Sequence, residues 1–286
     1  MDINKAVTNN FIAVKLTNGF GNNIFQYVAG RLLAEYHQCC FFAIPPSKEY
    51  YAIDSLIALG VNFDSTIIVE DYQIIDDQNY LQAYDSKFAS TNLILQGYFE
   101  NYKYYLPKIE LIKSWFPKVK TRTDNNLVIH FRGGDRLCYA NEFYSKPNVQ
   151  KYLNAITQFN FEKLHIVTDM PKWDYYTIKE FENSNFHVKP EKNAMVSTKE
   201  SVEFFNAFVE GFSSLNPVVN HRKLIDDFNL IRSSNNILFE HGTLSWWAAF
   251  LSNANKVGVY GPWRAFKGEN NKNLSHVPLN NWFKWD

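Results

Sequence analysis

The segment IHFRGGDRL, from Ile129 to Leu137, places a histidine, two arginines, an aspartate and two adjacent glycines directly after an apolar run. An arginine at the end of a strand can hold phosphate oxygens with both arms of its guanidinium group, so Arg132 is a candidate phosphate ligand. Gly133 and Gly134 remove side chains where a backbone must approach a ligand closely or take a positive φ. Asp135 fits a residue that orients an arginine, caps the next element or accepts a proton. The alternative is a solvated turn held by an Arg–Asp pair.

A second loop, EHGT, leads into the apolar segment LSWWAAF. A helix that begins near Leu244 would have Gly242 or Thr243 at its N-cap, and its free backbone N–H groups would attract an anion such as a diphosphate. Thr243 and Ser245 would add hydroxyl donors. Plain helix capping is the alternative, and His241 fits either a ligand contact or a packed turn residue.

A third candidate is a carboxylate in the segment KLIDDFNLIRSS. The apolar residues of this segment define one helical face, made of Leu224, Ile225, Phe228 and Ile231. At roughly 100° per residue, Asp226 falls opposite that face and Asp227 at its margin, so only Asp227 is placed to reach inward. A carboxylate there can accept the N–H groups of a guanine edge. The alternative is an exposed acid on a surface helix.

The elements that must position these residues follow from the hydrophobic pattern. Near the start, FIAVKL indicates a strand, GFGNN a glycine turn, and IFQYVAGRLLAEYHQ a helix with apolar residues every three or four positions. Later, short apolar runs such as LVIHF, LHIVTD, NILFE and KVGVY alternate with helical segments. This alternation predicts an α/β fold with parallel βαβ units in a doubly wound sheet, whose ligands bind beyond the carboxyl ends of the strands. The loops RGGDR, TDMP and EHGT each follow a strand in this way.

Length and composition bound the organisation of the chain. A length of 286 residues favours two domains, and the polar segment KVKTRTDNN is the best linker, which gives domains of residues 1–122 and 123–286. Basic and acidic residues balance at 29 each without a basic stripe, so nucleic acid is not expected as a partner. The three cysteines suggest neither a disulfide framework nor a zinc site. No segment resembles a signal peptide or a membrane span, so we expect a cytoplasmic protein.

Together, the motifs resemble the α-1,2-fucosyltransferase-like glycosyltransferases and the wider fucosyltransferase superfamily along almost the whole chain. The family's opening G-G-L-G-N-Q-hydrophobic-F-Q-Y segment is similar to NGFGNNIFQY, and its L-x-G-Y-W/F-Q segment to LILQGYFENYKYY. Its H-x-R-R-G-D loop is similar to HFRGGD, and its F-S-D-D strand end to IVTDM. Its closing D-L-x-L-M-S-x-C and N-S-x-F-S-W-W-A-A patterns resemble DFNLIRSS and EHGTLSWWAAFL, with the same spacing from Asp227 to Trp247.

The resemblance implies a GT-B architecture, in which two Rossmann-like domains face each other across a cleft, the first on the acceptor side and the second binding the nucleotide sugar. It implies an inverting transfer of fucose from a nucleotide sugar to a glycan hydroxyl, without a metal or another cofactor. Arg132 would then lie on the β-phosphate, with His130 and Asp227 near the nucleobase and ribose.

Further residues complete the expected site. The other positions expected to bind the donor are Gly19, Gly21, Asn22, Arg136, Asp169, His241, Gly242, Thr243, Leu244 and Ser245. The expected catalytic set is Arg132, Asp135 and Glu142, where either carboxylate is a candidate general base. Glu240 is a third candidate base.

The sequence departs from the family pattern at the phosphate loop, where Gly133 stands in place of a second arginine. Asn18, Asn23 and the pair His241-Gly242 are further departures. One phosphate-facing cation is missing, and Arg136 is a candidate to supply it. A UDP- or GDP-linked pentose or another deoxyhexose is therefore an alternative donor, and an inactive module that binds a nucleotide sugar or a glycan is an alternative function. The acceptor, the linkage and the oligomeric state stay open.

Overall fold

The structure of the protein, a computed structural model, describes residues 10–17, 19–45, 50–63, 71–88, 91–133, 137, 147–170, 199–220, 222–240, 242–260 and 279–285. The chain divides into two units, Met1–Pro117 and Lys118–Asp286. The division therefore falls at the start of the segment KVKTRTDNN. Arg122 already belongs to the second unit, because its backbone N–H donates to the Ser233 carbonyl at 2.8 Å and its own carbonyl accepts from the Asn235 amide at 3.1 Å.

The first unit contains a four-stranded parallel sheet in the order β2-β1-β4-β3. Its strands are β1 (Phe11–Lys15), β2 (Cys40–Ile44), β3 (Tyr72–Ile75) and β4 (Asn92–Leu95). Its α-helices are α1 (Phe20–His37), α2 (Ile53–Ala58) and α3 (Ile109–Ser114). Short 3-10 helices cover Tyr80–Tyr84, Ser86–Phe88, Tyr102–Tyr104 and Leu106–Lys108.

Helix α1 forms where the periodic pattern predicts it. Ile24, Val28 and Leu32 recur every four residues and are buried, which places one apolar stripe against the sheet. Gly30 lets the helix approach β2 and β1, because a Cβ at this position would lie 2.7 Å from the Phe41 ring and 3.3 Å from Val14. The helix ends at Gln38, whose backbone takes a left-handed conformation and returns its N–H to the Ala34 carbonyl.

The second unit contains a six-stranded parallel sheet in the order β10-β9-β8-β5-β6-β7. Its strands are β5 (Asn126–Phe131), β6 (Lys163–Thr168), β7 (Val218–Asn220), β8 (Asn236–Phe239), β9 (Lys256–Tyr260) and β10 (Trp282–Trp285). Its α-helices are α4 (Val149–Ile156), α5 (Lys199–Glu210), α6 (Leu224–Arg232) and α7 (Thr243–Phe250), with a 3-10 helix at Ser213–Leu215.

This strand order is the doubly wound Rossmann arrangement. The chain runs outward from β5 through β6 to β7, then returns to the other side of β5 and runs outward through β8, β9 and β10. The α/β prediction is therefore confirmed, with a parallel sheet in each unit. The predicted helix WDYYTIKEFEN and strand HVK lie outside the described residues.

A network of amides joins the amino ends of β5 and β8. The Asn126 and Asn235 side chains each accept the other's backbone N–H, at 3.1 and 3.2 Å. The Asn126 amide also donates to Ser234 Oγ at 3.0 Å, and the Asn236 amide donates to the Asn126 and Asn160 carbonyls. These buried amides pair with one another as burial requires, and they hold the two central strands in register.

Within the described ranges, no helix is both long enough and apolar enough to cross a membrane. The same ranges contain no group of three or more His, Cys, Asp or Glu residues that could hold a metal ion.

One buried histidine makes the stability of the second unit depend on pH. His165 on β6 is 5% exposed, and its Nε2 atom has no hydrogen-bond partner in the described part of the chain. Burial lowers the pKa of His165 below its ordinary value, and the charges of Arg122, Lys163 and Arg222 lower the pKa further, while Asp124 opposes them.

We predict that the folded state loses stability as the pH falls below about 6.5, the ordinary pKa of histidine. Below that pH the unfolded chain binds a proton at His165 that the folded chain resists, so the loss is at most about 1.4 kcal/mol per pH unit. Urea unfolding of the wild type and of His165→Gln between pH 5 and 8 measures this loss of stability. The difference between the two proteins should change with pH below 6.5 and stay constant above it. A difference independent of pH throughout would contradict the account.

Candidate functional site

The carboxyl ends of β8, β5 and β6 lie side by side at one edge of the six-stranded sheet. The chain leaves β5 and β8 toward opposite sides of the sheet, which makes this edge a topological switch point. Three segments singled out by the sequence meet here: Arg132–Gly133 after β5, Asp169–Met170 after β6, and Glu240 with Gly242 after β8. Crevices at such points are where doubly wound sheets bind ligands.

The loop after β5 is fixed by the end of β6. The Gly133 N–H donates to the Asp169 carboxylate at 2.7 Å, a charge-assisted bond between two neighbouring strand ends. Met170 is fully buried beside it, and its own N–H donates to Thr168 Oγ1 at 3.0 Å. Arg132 is half-buried and immediately precedes this anchored peptide. The position of its Cα atom at the switch point is therefore fixed.

The packing explains the glycine at position 133. A Cβ there would lie 2.5 Å from Met170 Cγ and 2.6 Å from the Phe131 ring, closer than carbon atoms approach. The backbone of Gly133 does not take a positive φ, and its close approach is to the protein's own side chains. A second arginine at this position would require Met170 and Phe131 to move.

Helix α7 presents its N-terminus to the same edge. The helix begins at Thr243, and Gly242 at the N-cap takes φ +155°, a conformation that favours glycine. The prediction of a helix start beside Gly242 and Thr243 is confirmed. In the part of the chain that is described, the backbone N–H groups of Thr243, Leu244 and Ser245 have no hydrogen-bond acceptor. Three such N–H groups at a helix start attract an anion.

His130 and Ser245 connect β5 to α7. The Ser245 hydroxyl and His130 Nδ1 share a short hydrogen bond. Ser245 is fully buried and His130 is 7% exposed. Ser245 Oγ is thus engaged by the protein, and we expect its backbone N–H, rather than its hydroxyl, to face a ligand.

Asp227 lies in the first turn of α6 and is buried, whereas Asp226 is exposed, as the helical-face pattern predicts. Its carboxylate accepts the Arg222 backbone N–H at 2.9 Å and Arg222 Nε at 3.2 Å. Sequence reasoning missed Arg222. The signal was available, because a basic residue just before a helix and an acid in its first turn are close enough to pair.

The glycines of the opening motif lie in the first unit. Gly19 is the N-cap of α1 with φ −79°, Gly21 is buried within the first turn, and Asn22 is half-buried. A Cβ at Gly19 would meet only the Tyr51 hydroxyl, at 3.6 Å. Neither a left-handed backbone nor a tight contact requires glycine at position 19.

Other predicted residues are placed as follows. Asp135, Arg136, Glu142 and His241 lie outside the described residues. Glu240 is half-buried at the end of β8.

The two tryptophans of α7 belong to the core. Trp246 and Trp247 are both fully buried, and the Trp246 ring stacks on Phe250 with 4.8 Å between ring centres. Both indoles fill the interior of the second unit.

No protein-family model matches the sequence, and no curated protein matches it. Among solved structures, the chain is similar to an R284K mutant of Arabidopsis thaliana FUT1 in complex with GDP, with 10% identity, a TM-score of 0.46, and 89% of this chain and 71% of that chain covered. It is also similar to the fucosyltransferase NodZ from Bradyrhizobium, with 11% identity, a TM-score of 0.41, and coverages of 87% and 94%. At such identities and TM-scores, fold and function rest on the chain's own residues.

We predict that Gly133→Ala destabilises the protein by about 1 to 3 kcal/mol, because the added methyl group overpacks the space beside Met170. Urea unfolding measures the loss. Gly19→Ala is the matched control and should cost less, at most about 1 kcal/mol, since its Cβ would meet nothing closer than 3.6 Å and only the weaker N-cap preference of alanine opposes it. In the double variant Gly133→Ala/Met170→Ala, the cost of the first change should shrink. Equal costs of Gly133→Ala with and without Met170 would contradict the packing argument.

Proposed function

We propose that the chain is a glycosyltransferase that binds a nucleoside-diphosphate sugar at the switch point of the second unit and transfers its sugar to a glycan hydroxyl. The observation that carries the proposal is the meeting of two anion-binding groups at that edge. Arg132 follows β5, and the N–H groups of Thr243 to Ser245 follow β8, which is paired directly with β5.

This pair suits a diphosphate. A guanidinium group supplies a full positive charge with two parallel donors, and a helix N-terminus supplies about half a charge with several donors. The backbone that carries each is held before a ligand arrives: that of Arg132 by the Gly133–Asp169 bond, and the helix start by the His130–Ser245 bond. Donors fixed in advance stabilise a leaving group without reorganising during the reaction.

The reaction we propose is a single displacement with inversion at the anomeric carbon. The acceptor oxygen forms a bond to that carbon as the bond to the diphosphate oxygen breaks, and the diphosphate leaves with the electron pair. A general base takes the hydroxyl proton. The candidates stay Asp135, Glu142 and Glu240, while Arg132, with Arg136 as a second cation, would carry the leaving-group charge in place of a metal ion.

Fucose on GDP is the donor implied by the sequence motifs. A UDP- or GDP-linked pentose or another deoxyhexose is the alternative donor. The reason to consider it is Gly133, which stands where the family pattern has a second arginine. Because the packing of Met170 and Phe131 leaves no room for a side chain there, the loop cannot hold a second arginine in this backbone position. A site with one cation fewer would contact the diphosphate and its sugar differently.

An inactive module that binds a nucleotide sugar or a glycan is the second candidate function, favoured by the same missing cation. The glycosyltransferase and the inactive module differ in turnover. The enzyme releases nucleoside diphosphate in the presence of an acceptor, and the module binds without releasing it.

We predict that GDP or UDP raises the thermal midpoint of the protein at millimolar concentration, since a ligand of the native state stabilises it by mass action. Arg132→Ala should weaken that nucleotide about 10- to 100-fold, the loss expected for hydrogen bonds to a charged group. Isothermal titration measures the affinities.

Arg122→Ala is the matched control, because it removes the same charge from the amino edge of the same sheet, where Arg122 pairs with Asp124. Its nucleotide affinity should equal that of the wild type. The proposal fails if neither nucleotide shifts the midpoint, or if Arg122→Ala and Arg132→Ala weaken binding equally.

A further inference from the structure

A strained backbone lies at the carboxyl edge of the other sheet, in the first unit. Phe99 follows β4 with φ +53° and is fully buried. The left-handed conformation is a genuine outlier for a bulky side chain and costs about 1 to 3 kcal/mol. Strain of this size persists only where neighbouring groups enforce it, and it is commonest at functional sites.

Two side chains and one glycine enforce this conformation. The Asp77 carboxylate accepts the Tyr98 N–H at 2.8 Å and the Phe99 N–H at 2.6 Å. The buried Tyr105 hydroxyl donates a short hydrogen bond to the Phe99 carbonyl. A Cβ at Gly97 would lie 2.6 Å from Asp77 Oδ2, so only glycine lets the carboxylate come this close. The loop after β4 is therefore clamped in one conformation.

A third side chain, on α1, joins this loop to the loop after β1. The buried Gln26 amide nitrogen donates to the Gly97 carbonyl and to Thr17 Oγ1, both at 2.8 Å, and its oxygen accepts the Thr17 N–H at 2.9 Å. Asn23 adds a bond to the Thr17 carbonyl at 2.8 Å. The loops after the paired strands β1 and β4 thus form one rigid edge.

The clamp displays two side chains on either side of the strained residue. Tyr98 is 36% exposed and Glu100 is partly exposed. A tyrosine ring offers an apolar face of the kind that packs on the C–H groups of a sugar ring, and a carboxylate accepts hydrogen bonds from sugar hydroxyls.

Taken together, three of the loops at this edge carry negative charge, which suits a neutral ligand better than a diphosphate. The loops after β1, β3 and β4, at residues 16–22, 76–79 and 96–101, contain three carboxylates and no lysine or arginine. The nearest basic residues along the chain, Lys15 and Lys103, are exposed. An anion bound against these three loops would be repelled by their carboxylates.

We propose that Tyr98 and Glu100 form a binding subsite for a neutral glycan, which serves as the acceptor. The inference rests on the proposed function for its biological meaning, since a transferase needs a second substrate, but the site is carried by the first unit alone. Tyr98 packs against a sugar ring and Glu100 accepts hydrogen bonds from its hydroxyls. The strain at Phe99 is the cost of holding both in place before the glycan binds.

The test begins with an array of neutral oligosaccharides probed with the labelled full-length protein, which should retain at least one of them. Affinity for the best-bound glycan is then measured in solution. Tyr98→Ala should weaken it about tenfold or more, Tyr98→Trp should retain it, and Glu100→Gln should weaken it several-fold. Asp77→Ala should weaken it with both contact residues intact, because the loop is released.

Tyr72→Ala is the matched control, since Tyr72 is a 41% exposed tyrosine on edge strand β3 of the same unit, and its glycan affinity should equal that of the wild type. The thermal midpoint of each variant is compared with that of the wild type as a check on folding. It should not fall for Tyr98→Ala. No retained glycan, or equal losses in Tyr98→Ala and Tyr72→Ala, would overturn the inference. Nucleotide binding is measured separately. If Tyr98→Ala loses glycan affinity but no nucleotide shifts the thermal midpoint of the wild type, the proposed function is overturned and the glycan site stands.

Discussion

The candidate donor site depends on the adjacency of β5 and β8 at the centre of the six-stranded sheet. Because the chain leaves these two strands toward opposite sides, their carboxyl ends form a topological switch point, where doubly wound sheets bind ligands. The amide network of Asn126, Asn235 and Asn236 fixes the register of the pair at the other end. The two anion-binding groups of the proposed function, Arg132 after β5 and the start of α7 after β8, take their positions from this pairing.

Each half of the site is held by a hydrogen bond within the second unit. The Asp169 carboxylate holds the Gly133 peptide, and His130 holds the Ser245 hydroxyl. The first unit uses the same device, with Asp77 and Gln26 fixing the loop that carries Tyr98. Both edges are rigid before binding, and they differ in charge: the second offers an arginine and a helix N-terminus, whereas the first offers carboxylates.

The sequence was sufficient to predict the α/β class and the loops of the site, because buried parallel strands and amphipathic helices leave strong periodic patterns. It missed β3, β7 and β10, which lie at the edges of their sheets and are only partly buried, so they lack the continuous apolar run that marks the similarly short β4 and β8. The bonds that fix the site could not be predicted either. Gly133 and Asp169, or His130 and Ser245, are far apart in the chain and meet only through a strand order that no local pattern encodes. From the sequence, Gly133 was therefore interpreted as a missing arginine. In the structure, packing against Met170 requires a glycine there.

The most direct test of the central claim is a crystal structure of the protein with the nucleoside diphosphate that binds it. We predict that the diphosphate lies beyond the carboxyl ends of β5 and β8, with its oxygens within hydrogen-bonding distance of the Thr243, Leu244 and Ser245 N–H groups and of the Arg132 guanidinium. A nucleotide bound elsewhere, or one whose phosphates contact neither the start of α7 nor Arg132, would contradict the account.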